Sequence, residues 1–256
     1  MSTALLITMG LVASRMGGVM MLMPAFGARG VPKMAKVMCV IGMTLVVGPT
    51  VPMASVAPSL GYLMLAIITE VIVGILIGGV VSFIFGALSL ANEVMSNQIG
   101  HGAAQLFDPM LKVSHGPIAT LGSLLAALVF VGTNLHLILL VNVADTFHTV
   151  PPGGVASPLG AGVVWIEAGQ LVMQAGIGLA GPVLALIFLI HVFVAVLTRL
   201  APNMNIFFSL GMVMTVIAGC WMLMVMLPYQ LEAHYGMVAG AVERVPEVFQ
   251  FMDMVR

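Results

Sequence analysis

Charge is what this chain has least of. Lysine and arginine number eight and aspartate and glutamate nine, together 7% of 256 residues. The mean hydropathy is +1.18, so the chain lacks the polar surface that a soluble domain of this length presents to water. The few cations are scattered and the formal net charge is −1, which leaves no basic face for nucleic acid. Cysteine is scarce too: Cys39 and Cys220 each sit inside an apolar run and read as small core residues, not as a disulfide or metal pair. Catalytic spacings are missing. There is no H-E-x-x-H, G-x-x-x-x-G-K-[ST], G-x-S-x-G or Cys/His metal pattern, and His101 and His115 are too isolated to form a catalytic pair. The reading is a protein that is not an enzyme and uses neither metal nor cofactor.

Apolar sequence is what the chain has in quantity. Six runs can be drawn, at 3 to 26, 34 to 57, 61 to 91, 118 to 143, 164 to 198 and 205 to 228, each long enough to cross a bilayer core. None alternates with period two. Lipid admits only helices and closed barrels, so the fold class is an all-α membrane protein with long helices and helical hairpins. The first run has no preceding positive charge and exceeds the ~7–15 residues of a signal-peptide core, so it reads as the first helix of the mature protein. Runs three and five are too long for a simple span and must tilt, break or project. In the fifth, the clustering of Gly176, Gly178, Gly181 and Pro182 predicts a break. After Pro228 charges punctuate Val238, Val242, Val245 and Phe249, which divides the chain into a membrane domain at 1–231 and an amphipathic tail at 232–256. Arg29, Lys33, Lys36, Lys112 and Arg199 fall in loops that six spans would place on one side, the cytoplasmic one.

Several residues do not suit a plain lipid-facing bundle. Arg15 and Glu70 lie inside apolar runs, where each needs a partner, and the two can serve each other as a structural pair or as part of an ion relay. Gly74, Gly78, Ser82 and Gly86 recur every four residues, so they share a helix face that lets another backbone approach. The polar interruption from Asn92 to Pro117 stands out most. It holds Asn92, Glu93, Asn97, Gln98, His101, Gln105, Asp108, Lys112 and His115 between long apolar helices, and water, protein or a passing substrate must satisfy them.

These residues also carry a family likeness. Asn92-Glu93 through Ala104, with Gln98, Gly100, Gly102 and Ala103, then Asp108-Pro109, resembles the central segment of the FliR/SctT family of type III export-gate proteins. The likeness continues in order through Arg15, Gly17, Pro24 and Phe26; Glu70, Gly74 and Gly78; Phe130, Asn134 and His136; Asp145, Phe147 and Pro151; and Ala201-Pro202, Asn205, Phe207 and Gly211. It covers about residues 10 to 230 and is nearer to the flagellar branch. Leu135 and Ser209-Leu210 depart from the family pattern.

The resemblance implies a subunit of a hetero-oligomer with FliP-, FliQ- and FlhB-like partners, in the inner membrane at the basal-body ring, passing unfolded flagellar proteins. It also implies that the loop from Leu106 to His115 helps plug the closed channel. On that footing Phe107, Met110 and Leu111, with Leu106 beside them, form an apolar constriction whose turn is set by Asp108-Pro109. Gly100, Gly102 and Gly116 act as hinges. Arg15, Glu70, Gln98, Asn134 and His136 are expected to make polar contacts at membrane depth. The rival reading is a small-solute secondary transporter with a midplane site at a broken fifth helix. Its second, matching broken helix is not evident.

Overall fold

A computed structural model describes residues 3–23, 32–54, 59–100, 116–154, 158–201, 210–243 and 245. Among them there are no strands and seven α-helices. These are α1 (Thr3–Leu22), α2 (Lys33–Val47, extended by a 3-10 turn at Gly48–Thr50), α3 (Leu60–Ile99), α4 (Pro117–Gly132), α5 (Leu135–Thr149), α6 (Pro158–Leu200) and α7 (Met212–Glu243). By length and composition five helices can cross a membrane, and the broken pair α4–α5 can supply a sixth crossing.

Two features differ from the expectation. The fifth run does not break: α6 is one helix of 43 residues with Pro182 inside it. Proline removes one backbone donor and crowds the carbonyl four residues earlier, here that of Gly178. Gly178 and Gly181 have open space around them, so the backbone can adjust locally. No water competes for the freed carbonyl in an apolar setting, and the helix survives. The break lies instead in the fourth run, where Asn134 adopts a left-handed conformation (φ 59°) between α4 and α5. Asparagine tolerates that region better than other non-glycine residues, and it closes α4 by donating its N–H to the Val131 carbonyl at 3.1 Å. The helix α7 also runs unbroken through Pro228 and across positions 231 and 232.

The chain forms two compact units. The first comprises Met1–Ile84, Phe130–Gln170 and Gly236–Arg256. Its centre is the packing of α1 on α3, where glycines bring two backbones into contact. A methyl on Gly18 would stand 2.6 Å from the Val71 carbonyl oxygen, one on Gly78 would stand 2.7 Å from that of Val19, and one on Gly74 would collide with that of Arg15. Leu11, Val12, Met16 and Val19 are fully buried along the same face. Trp165 of α6 lies over Gly79 and meets Phe83 edge to face at 4.9 Å. The end of α7 belongs here too: Val238, Val242 and Val245 are buried, and Asn142 of α5 donates to the Val242 carbonyl at 2.7 Å. By contrast Met34, Val37, Met38, Ile41, Leu45 and Val46 of α2 are all exposed, the apolar exterior expected of a chain solvated by lipid or by other subunits.

The second unit comprises Phe85–Val129 and Leu171–Tyr235. The last part of α3 forms its axis, with Leu88, Ala91, Met95 and Ile99 almost wholly buried. Helix α4 packs antiparallel to it through Gly116 on Ser96 and Gly122 on Asn92. Helix α7 is also antiparallel, through Gly219 on Ile99 and His234 on Phe85. Helix α6 runs parallel, with Val172 at Gly86 and Gly176 against Ala87 and Leu90.

Candidate functional site

The polar interruption is described only at its two ends. Gly102, Leu106, Phe107, Asp108, Pro109, Met110 and Leu111, together with His101, Lys112 and His115, lie outside the described residues. On the α3 side Asn92 and Ser96 are buried, one turn apart on the helix, while Asn97 and Gln98 are exposed. Gly100 stops α3: its φ of +100° suits glycine, and its N–H reaches the Asn97 carbonyl at 3.2 Å. On the α4 side Gly116 is pressed against the Ser96 hydroxyl, and its carbonyl accepts from the Thr120 N–H (3.0 Å) and hydroxyl (3.1 Å). A methyl on Gly122 would overlap the Asn92 amide. The two stems of the segment are therefore seamed together by small residues of α4 facing buried polar residues of α3. What holds the seam is this close packing, in which the Ser96 hydroxyl is buried with no hydrogen-bond partner among the described residues.

The first unit holds a buried ionic node. Arg15 and Glu70 are 0% and 1% exposed. The guanidinium grips the carboxylate at two points, Nε to Oε2 at 2.6 Å and Nη2 to Oε1 at 3.1 Å. Nη2 also donates to the Val150 carbonyl at 3.0 Å, Nη1 donates to the Thr146 hydroxyl at 3.1 Å, and the Phe147 ring stacks 4.1 Å from the guanidinium carbon. Glu70 Oε1 accepts a second donor, the Gly153 N–H at 2.9 Å. That N–H is aimed by local chemistry. In Pro151-Pro152-Gly153-Gly154 the Gly154 N–H returns to the Pro151 carbonyl at 2.9 Å, and Gly153 has φ +80°, as a type II turn requires after proline. Isolated charges are expensive in an apolar interior, and the node meets this with a bidentate pair reinforced by Thr146, Val150 and Gly153.

Of the five residues expected to make polar contacts at membrane depth, the described contacts join Arg15 to Glu70. Gln98 and Asn134 are exposed. His136 is half-buried beside Phe130, ring centroids 6.1 Å apart, and its Nδ1 has no partner among the described residues. In the glycine stripe Gly74 and Gly78 abut α1, Ser82 is half-buried, and a methyl added to Gly86 would meet Val172 at an ordinary 4.0 Å. Sequence reasoning missed Thr146, Val150 and Gly153 as members of the node, although Pro-Pro-Gly-Gly was a legible turn signal. It also missed two buried polar residues of α7. Gln230 reaches Met95 Sδ and the Leu179 carbonyl, each at 3.5 Å, and His234 sits edge-on to Phe85 at 4.9 Å. Among the described residues no three His, Cys, Asp or Glu side chains converge as a metal site would need.

Comparison with known proteins bears on this arrangement. Residues 6–240 match the family described as bacterial export proteins, family 1. The flagellar biosynthetic protein FliR of Escherichia coli (strain K12) is 29% identical over 205 residues, 80% of this chain and 78% of that one. FliR of Pectobacterium carotovorum is 30% identical over 212 residues, with the same shares of each chain. The Yop proteins translocation protein T of Yersinia pestis is 31% identical over 178 residues, 67% of this chain and 66% of that one.

Proposed function

This chain belongs to the bacterial export proteins, family 1, the FliR/SctT family, and from that premise we propose that it is the gate subunit of a flagellar export channel. It is a multi-pass membrane component of a type III protein-export apparatus. With FliP- and FliQ-like subunits and an FlhB-like neighbour, it forms the path for unfolded flagellar proteins across the inner membrane, at the basal-body ring. Residues 106–111 close that path at rest: Leu106, Phe107, Met110 and Leu111 supply an apolar constriction and Asp108-Pro109 sets its turn. An apolar ring holds back ions by dewetting and yields to a chain that can displace it.

The match over residues 6–240, shared by flagellar relatives and by a Yop translocation protein, carries this reading. The seam of Asn92 and Ser96 with Gly122 and Gly116 supports it, because a closing loop needs stems that do not splay. Gly100 and Gly116 flank the loop, the first at positive φ and the second packed on Ser96. The transporter reading loses the feature it was built on, since α6 is continuous through Gly176 to Pro182 and the break lies instead between α4 and α5. The test is ion conductance of the assembled complex with residues 106–114 deleted. Conductance above that of the intact complex is expected.

A further inference from the structure

We infer that Arg15 and Glu70 form a register pin, an ionic lock that fixes α1, α3 and the turn after α5 against one another and serves assembly of the complex. The inference goes beyond the export reading and stands on the geometry of the first unit. The carboxylate holds three donors, Arg15 Nε, Arg15 Nη2 and the Gly153 N–H, on its two oxygens. The Thr146 hydroxyl completes the node, accepting from Arg15 Nη1 and donating to the Val143 carbonyl at 2.6 Å. Among the described residues no second titratable side chain touches the pair.

What the pair does follows from where its atoms are anchored. Gly18 lies three residues after Arg15 and Gly74 four after Glu70, and at these glycines the backbones of α1 and α3 touch. Sliding α1 along α3 by one residue moves the guanidinium about 1.5 Å along the helix, enough to lose one arm of the bidentate grip. The Val150 carbonyl and the Gly153 N–H extend the lock to the turn that leads from α5 to α6. Apolar packing between glycine-lined helices is permissive about register, and a buried polar pair is a known way to select one register from several.

A neutral pair should therefore replace the charged one. In Arg15→Met with Glu70→Gln, the glutamine carbonyl can keep the Gly153 N–H, and no charge is left unpaired. Two quantities are read in membranes that carry the full complex: the amount of assembled complex surviving detergent and mild heat, and substrate exported per assembled complex. Arg15→Met or Glu70→Ala alone should lower assembly at least tenfold. The double variant should return to within threefold of wild type, with export per complex unchanged. Normal assembly in the single variants overturns the pin. So does a double variant that assembles and does not export, since the carboxylate would then act in transport. Should the double variant fail to assemble, Glu70→Asp decides. The shorter carboxylate should lower assembly and leave export per complex intact; the reverse pattern overturns the inference. Failure of the wild-type chain to support export would sink the proposed function while leaving the assembly arm valid.

Discussion

Gly17 and Gly18 are neighbours in α1, and a methyl group added to each should have opposite effects. At Gly18 the new carbon would stand 2.6 Å from the Val71 carbonyl oxygen and 2.9 Å from the Ile75 nitrogen, both backbone atoms of α3; at Gly17 it would meet nothing within 4 Å. Backbone cannot rotate aside. Reaching ordinary contact near 3.4 Å requires α1 and α3 to part by roughly 0.8 Å. Arg15 is one turn away, and the same displacement would carry its 3.1 Å Nη2–Oε1 bond beyond hydrogen-bonding distance. Overpacking of this kind costs about 1–3 kcal/mol, and weakening a charge-assisted bond adds about 1.5–3 kcal/mol. The better helix propensity of alanine returns about 1 kcal/mol. Gly18→Ala should therefore destabilise by on the order of 1.5–5 kcal/mol, and Gly17→Ala should stabilise by about 0.5–1 kcal/mol. Unfolding of the detergent-solubilised protein, followed by circular dichroism against denaturant, reads both. Equal effects, or a neutral Gly18→Ala, would refute the backbone contact between α1 and α3.

Two further substitutions probe the turn and the seam. Gly153→Ala places a side chain at φ +80° and should cost about 1–2 kcal/mol in the same assay, with Gly153→Asn milder because asparagine tolerates that region. Gly122→Ala should destabilise by overlap with the Asn92 amide, and Asn92→Ala in the same chain should recover at least about 1 kcal/mol of that loss; strict additivity of the two would contradict the contact.

Much of this was legible in the sequence, and the exceptions have physical causes. A chain with so little charge has to be helical in lipid, and charges inside apolar runs at 15 and 70 had to find partners. That the two meet each other, and that Thr146, Val150 and Gly153 complete the node, depends on approach between residues 55 to 135 positions apart, which local patterns do not encode. Pro182 misled because a proline's effect depends on its surroundings: flanking glycines and an apolar environment preserve a helix that water would help to break. Asn134 worked the other way. It interrupts a run with no proline at all, through a left-handed conformation that composition alone does not announce. The candidate closing residues from Leu106 to Leu111 rest on family resemblance and lie outside the described residues.

The gate reading therefore turns on conductance. Complexes purified with their partner subunits, with and without residues 106–114 of this chain, would be reconstituted side by side in planar bilayers under an applied voltage. The intact complex should hold back ions and the deleted one should conduct. Equal conductance from two complexes of the same subunit composition would contradict the assignment of this segment as the closure of the pore.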